Sequence, residues 1–480
     1  MKKIIIVLVI VAALAASPLL FSKIAQSQID SNIEQLNQIN GYQVSIAEHQ
    51  GGYLSSRLRV RVGMDLAAIT QDPQLQNVDA DTQAMFDTLK EGVLFDVDVH
   101  YGPIVRQPNF GLALYSTQVK LADGQDGVAK LKQELGIDEI FSADLTMGLL
   151  GSGVSKLVVS PMQMIDPAGR LDFGGALITA DLSNYGKAYV IDGTVEQLSF
   201  ASPDMRFTMD PVTIQGRGEM ADIGRLGVGE IEVVFPRLTF EGPANIDVRN
   251  FVVATDVSQP SPDLFNVDYR IDLESVSGDV LPQTYSKIVM HMTLENFSGE
   301  IMQRYVDTLY GGNVSDGNVY GGNMNAEDPQ FIFDMINDLL ASSPKLTIRN
   351  IGFAADNVVQ LAFAGDVSID QSQLLEPLSL ENIEMLIPAV IANLDLKAHR
   401  DLVNLGLQSF SAQQSQSTAL QMDLTEEEMM DLQQQQLQQF ADMLDAAVQD
   451  GMVLQQGNTL SIKANFKEGN LTVNDKPVAM

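Results

Sequence analysis

Four histidines, His49, His100, His291 and His399, are the side chains of this chain best suited to proton transfer or metal ligation. Each falls in or beside an alternating segment, and no two have the spacing of a metal-ligand pair. Asp98 and His100 are two residues apart, so on a strand they share a face within hydrogen-bonding reach. No G-x-S-x-G elbow supplies a nucleophile for them, and the pair reads as decoration of a polar face. The glycine-rich piece Gly148-Leu149-Leu150-Gly151-Ser152-Gly153 lacks the lysine and following helix of a phosphate loop and joins two strands. Asn77-Val78-Asp79-Ala80-Asp81-Thr82 begins like a calcium loop, but its sixth position is not glycine and Thr88 stands where the bidentate glutamate belongs. The sequence therefore assigns no catalytic, cofactor-binding or metal residue, and the expectation is a protein that is not an enzyme and carries no cofactor.

Arg57, Arg59 and Arg61 line one face of a strand in an acidic chain. They are expected to pair with carboxylates on a neighbouring strand, Asp96 and Asp98 being the candidates. A patch for lipid phosphates or an acidic partner is the alternative. The 21 methionines recur on apolar faces and read mostly as core.

Composition narrows the classes further. With 62 acidic and 29 basic residues the net charge is −33, which repels nucleic acid. There is no cysteine, so disulfides, thiolate metal sites and a thiol nucleophile are excluded. There is no tryptophan to stack on sugars or bases.

The elements that would position these residues are mostly strands. Residues 4–21 form an uncharged apolar run after Lys2 and Lys3, near the shortest length that crosses a bilayer as a helix. The reading is a cytoplasmic N-terminus at 1–3, a transmembrane anchor at 4–21 and a helical stalk at 22–40. Ala13-Leu14-Ala15 also fits a signal-peptide cleavage site, but Pro18-Leu19-Leu20-Phe21 prolongs the apolar run beyond it. From residue 41 to 480 a β-rich domain is expected. Val44 and Ile46, then Leu58, Val60, Val62 and Met64, alternate with polar residues, as do the segments 93–101, 141–149, 267–273 and 288–294. Between 140 and 296 almost nothing is helical, and the strands read as unusually long.

Helices are expected near 297–341 and 400–451. Asp328-Pro329 opens one of them, and Thr425 with Glu428 caps the last, which Gly451 ends. The Gly/Asn-rich stretch 311–327, between a helix at 297–310 and the one that Asp328-Pro329 opens, contains a local duplication and reads as a surface insertion. The last strands form a hairpin through Glu468-Gly469-Asn470. The fold class is thus mainly β (α+β): a long curved antiparallel meander with several helices packed on it, plus an N-terminal transmembrane helix.

Gly52-Tyr53-Leu54-Ser55-Ser56, Val99-His100-Tyr101-Gly102-Pro103-Ile104 and the ending Gly469-Asn470-Leu471-Thr472-Val473-Asn474-Asp475 resemble the YdgA-like family of bacterial envelope proteins, whose function is uncharacterised. Tyr101, between His100 and Gly102, departs from the family's His-Gly-Pro step. The resemblance covers the whole chain. It implies an inner-membrane protein, retained by its N-terminal segment, with a periplasmic β-rich body, and it supplies no catalytic residues. In its own right, Gly102-Pro103 marks a sharp exit from a sheet, because proline cannot continue the ladder. The function expected is the binding or shielding of a hydrophobic partner, lipid or envelope client, on the apolar sheet face. The alternative is an assembly scaffold that oligomerises through strand edges or the 425–450 helix.

Overall fold

The computed structural model describes residues 33, 37, 42–64, 90–105, 111–166, 169–221, 227–301, 336–356, 358–374, 376–378, 383–422 and 426–478. The anchor at 4–21, the loop 77–82, the cap at Thr425 and the stretch 311–327 lie outside them, as does all but Ile33 and Asn37 of the stalk. No helix among the described residues is long and apolar enough to cross a membrane. The chain divides into two compact units, residues 1–243 with 302–325, and residues 244–301 with 326–480.

The first unit holds β1 (Tyr42–Gly51), β2 (Ser55–Met64), β3 (Val93–Tyr101), β4 (Ile104–Val105), β5 (Gly111–Leu112), β6 (Tyr115–Leu121), β7 (Phe141–Met147), β8 (Gly153–Val159), β9 (Met162–Asp166), β10 (Gly169–Phe173), β11 (Ala176–Ser183), β12 (Ala188–Val195), β13 (Leu198–Ala201), β14 (Arg206–Met209), β15 (Val212–Met220) and β16 (Gly227–Glu241). All of its pairings are antiparallel. They run β1-β2-β3-β6-β7-β8-β11-β12-β15-β16, with a second series β9-β10-β13-β14-β16 beside it.

The two series are the two halves of the same long strands, each interrupted at one level. Phe173 faces Met162 and Leu198, whereas Ala176 faces Val159 and Val195. Ser160-Pro161, Gly174-Gly175, Glu196-Gln197 and Asp210-Pro211 therefore fall in one transverse line. Proline offers no N–H to the ladder, which weakens pairing at Pro161 and Pro211, while β16 runs through the line with Pro236 at that level. The remaining backbone groups are satisfied across the line: Gly174 N–H donates to Gln197 O (2.8 Å), Glu196 N–H to Gly175 O (2.9 Å) and Asp210 N–H to Arg237 O (3.0 Å).

The core of this unit lies under β1, β2, β3, β6 and β7, where alternating Val44, Leu58, Val60, Val97, Val99, Tyr101, Tyr115 and Met147 close into a buried cluster. Burial raises the pKa of the Tyr115 phenol above its ordinary value. Of the predicted stalk, Ile33 packs on this cluster, and the Asn37 side chain clips Val44, accepting from its N–H at 2.5 Å and donating to its carbonyl at 2.7 Å.

The second unit holds β17 (Ile246–Ser261), β18 (Leu264–Gly278), β19 (Tyr285–Ser298), β20 (Lys345–Ala355), β21 (Val358–Ile369), β22 (Val390–His399), β23 (Leu454–Gln456), β24 (Thr459–Lys467), β25 (Asn470–Val473) and β26 (Lys476–Val478). Each pairs antiparallel with the next, except that β22 pairs with β24, whose other edge carries β23 and β25. Strands of 14 to 16 residues make up its first half, as the alternation predicts.

Of the helices expected near 297–341 the described residues include 299–301 and 336–341, where Ile336 and Leu340 pack with Leu378 beside Ile369 of β21. The stretch 302–335, with Asp328-Pro329, lies outside them. Arg400–Met422 and Glu426–Gln449 lie against each other and engage the strands mainly where the first leaves β22. Phe410 meets Phe440 with ring centroids 5.9 Å apart, and buried Ser411 donates to Gln433 O at 3.1 Å. The two helices set part of their weak apolar stripes against each other. The second ends as predicted, with Gly451 at φ +67° and Met452 N–H donating to Ala447 O.

Candidate functional site

The arginine row resolves into ion pairs. Arg57 Nε lies 2.7 Å from Asp98 Oδ1 and Arg59 Nε 2.9 Å from Asp96 Oδ1, each one register step across β2 and β3. These carboxylates raise both guanidinium pKa values, through the hydrogen bond first and charge second. Arg61 donates to Glu91 O at 3.1 Å. The Asp98 carboxylate is thus engaged by Arg57 on the face where the sequence placed it beside His100, which stands opposite Ser55 and Ser116. His49 lies 3.3 Å from Ser56 Oγ, and His399 Nδ1 lies 3.4 Å from Asp401. The described residues contain no group of acids and histidines able to hold a metal.

One constellation was not legible as a unit. His291 Nε2 lies 2.9 Å from Asp268 Oδ1, Thr293 Oγ1 donates to Asp268 Oδ2 at 2.9 Å, and Arg349 Nε donates to Thr293 Oγ1 at 3.0 Å. Arg349 reaches the group from a β-bulge: His291 faces Asn350 and Met292 faces Ile348, so Arg349 is the extra residue of β20. A Thr-His-Asp set suggests nucleophilic catalysis, but the geometry opposes it. The buried threonine gives its proton to the carboxylate and receives Arg349 on its oxygen, so no activated lone pair is presented. The cluster fastens the bulge to the sheet.

The extended feature of the second unit is the division of its sheet into two chemically opposite faces. On one face Val253, Ile271, Met290, Ile351, Phe363, Leu396 and Ile462 stand opposite one another in turn across seven strands. The next row on that face runs Tyr269, Met292, Ile348, Gly365, Leu394, Ala464 and Val473. On the other face Asp268, Thr293, Thr347, Asp366, Asn393, Asn465 and Thr472 form an equally unbroken polar row. Asn393 donates to Asp366 at 3.2 Å and accepts from Asn465 at 2.5 Å, which ties this row laterally.

A sheet with one apolar face ordinarily buries it against a second layer. Here the first apolar row is half-buried throughout, and Leu346 and Leu394 on the same face are 38% and 36% exposed. At ~4.8 Å per strand the row is about 29 Å wide. That is roughly twice the ~15 Å a lipid chain spans in one leaflet. A cleft of about 790 Å³ opens on the polar face, where Ala364, Asn393, Asp395, Lys463, Asn465 and Thr472 line it.

No curated protein and no solved structure matches this chain. A family model described as a bacterial protein of unknown function (DUF945) matches residues 1–480.

Proposed function

The chain belongs to the DUF945 family, to which the YdgA-like resemblance corresponds, and on that premise we propose a non-enzymatic protein that holds the acyl chains of a lipid on the apolar sheet face of its second unit. The supporting observation is the apolar row that crosses seven strands and stays half-buried. Occupancy by a hydrocarbon would remove that surface from water at roughly 25 cal/mol per Å². The apolar run at 4–21 supports a place at the bacterial inner membrane with the body in the periplasm, where lipid is at hand. Phosphate groups need no dedicated site in this reading, because affinity comes from the chains.

The test is native mass spectrometry of the full chain extracted from membranes in a mild detergent. Co-purifying lipid in a fixed ratio is expected. Recovery of the chain free of lipid under conditions that keep it folded contradicts the reading.

A second reading, an assembly scaffold, draws support from the helical hairpin, where Leu405, Phe410, Met430 and Met443 are exposed. A strict monomer at micromolar concentration argues against it.

A further inference from the structure

We propose that the first unit rests one end of its sheet on a lipid bilayer surface through a rim of apolar hairpin tips. The register sets these tips in one transverse line. Gly51 faces Ser56, Ser55 faces His100, Tyr101 faces Tyr115, Tyr115 faces Met147, Met147 faces Gly153, Gly153 faces Leu182, and Ser183 faces Ala188. The turns and strand exits beyond that line carry Tyr53, Leu54, Ile104, Leu112, Leu150 and Tyr185. All six are exposed, Leu150 at 91% and Leu112 at 70%.

Scattered exposed leucines need no explanation, but a row of them at one end of one sheet does. Charge sharpens the case. In a chain with 62 acidic residues, none of the residues 51–55, 102–105, 111–115, 148–153 and 183–188 is acidic, and exposed Lys187 is their one charge. The first carboxylates met going inward along the strands are Glu48, Asp98, Asp144 and Asp181, whereas Glu219, opposite Ala188, stands on the line itself. Asp98 and Asp144 each lie three residues behind the line, so those strands are free of carboxylate for about 10 Å. Amphipathic elements sink about 5–10 Å into the headgroup boundary. At the other end of the same unit the turns carry Asp123, Asp166, Asp204 and Glu241. An anionic surface repels that end and accepts this one.

The backbone of the rim also suits a water-poor boundary, where each unpaired polar group costs several kcal/mol. Neighbouring tips satisfy one another: Tyr101 N–H donates to Leu54 O (2.9 Å), Gly102 N–H to Leu114 O (2.7 Å), Leu114 N–H to Met147 O (2.7 Å) and Tyr185 N–H to Gly151 O (2.8 Å). The rim is a bonded edge on a rigid sheet, independent of the acyl-chain reading of the second unit.

The chain has no cysteine, so one engineered thiol reports one position. Full-length L150C, L112C and D204C proteins, each labelled with an environment-sensitive fluorophore, are reconstituted into phosphatidylethanolamine–phosphatidylglycerol vesicles with and without brominated acyl chains. Labels at 150 and 112 are expected to shift to the blue and to lose at least half their intensity to bromine, with the label at 204 unaffected. Equal quenching at all three positions, or none at 150 and 112, overturns the proposal. So does energy transfer between labelled copies without bromine quenching, which assigns the rim to a second copy of the chain. All three substitutions lie at exposed positions, and matching melting curves verify that each variant is folded.

Discussion

Gly102→Ala is expected to lower the melting temperature of the first unit by roughly 6–12 °C, from a loss of about 3 kcal/mol or more. A Cβ at this position would stand 1.7 Å from Ala113 O, 2.8 Å from Ala113 C and 2.9 Å from Leu114 O. All three atoms are backbone, so no side-chain rotation relieves the overlap, and the approach is fixed from both sides. Gly102 N–H donates to Leu114 O at 2.7 Å and Ala113 N–H to Pro103 O at 3.1 Å. Relief therefore means separating the exit of β3 from the entry of β6, beside buried Tyr101 and Tyr115. Thermal unfolding followed by circular dichroism measures the effect, and an unchanged midpoint contradicts this account of the exit. The neighbouring tip residue Ile104 is displaced with it, so the variant is also expected to loosen the rim.

Leu394→Asp is expected to lower lipid affinity at least a hundredfold while leaving the second unit folded. A carboxylate set against hydrocarbon without a partner costs several kcal/mol, and about 2.7 kcal/mol already gives a factor of one hundred. Folding tolerates the change because Leu394 is 36% exposed and its cross-strand neighbours on the apolar face are Gly365 and Ala464. Asn393→Asp, one residue away on the polar face, adds the same charge and is expected to leave bound lipid unchanged. Native mass spectrometry of the two variants side by side reads the difference. Equal lipid retention in both contradicts the assignment of the face.

Much of this arrangement could be read in the chain because alternation is local. Val97, Val99 and Tyr101 declare their face without reference to a partner, and Arg57 and Arg59 at the same period as Asp96 and Asp98 declare theirs. Gly102-Pro103 announced the departure from the sheet, and the structure places β4 outside it, paired with β5. Gly451 announced the last helix's end.

What escaped the sequence depends on pairing between distant segments. Pro161 and Pro211 each mark a break, but only the register shows that the breaks and Gly174-Gly175 share one line. Arg349 and Asn350 interrupt the alternation between Ile348 and Ile351. That slip was a legible sign of a bulge, yet nothing local aims Arg349 at Thr293, 56 residues away. The helices were expected on the sheet because an apolar face ordinarily requires a cover. Arg400–Met422 and Glu426–Gln449 instead pack on each other, whereas Ile336 and Leu340, at the end of the stretch 297–341, cluster with Leu378 and Ile369.

The most direct measurement compares two adjacent positions that alternation puts on opposite faces. A photo-cross-linking amino acid is placed at Leu394 in one strain and at Asn393 in another, and both are irradiated in intact cells. A lipid adduct at 394 without one at 393 is the result predicted for acyl chains lying on the apolar face. Adducts at both positions, or at neither while the protein is folded and abundant, would contradict it.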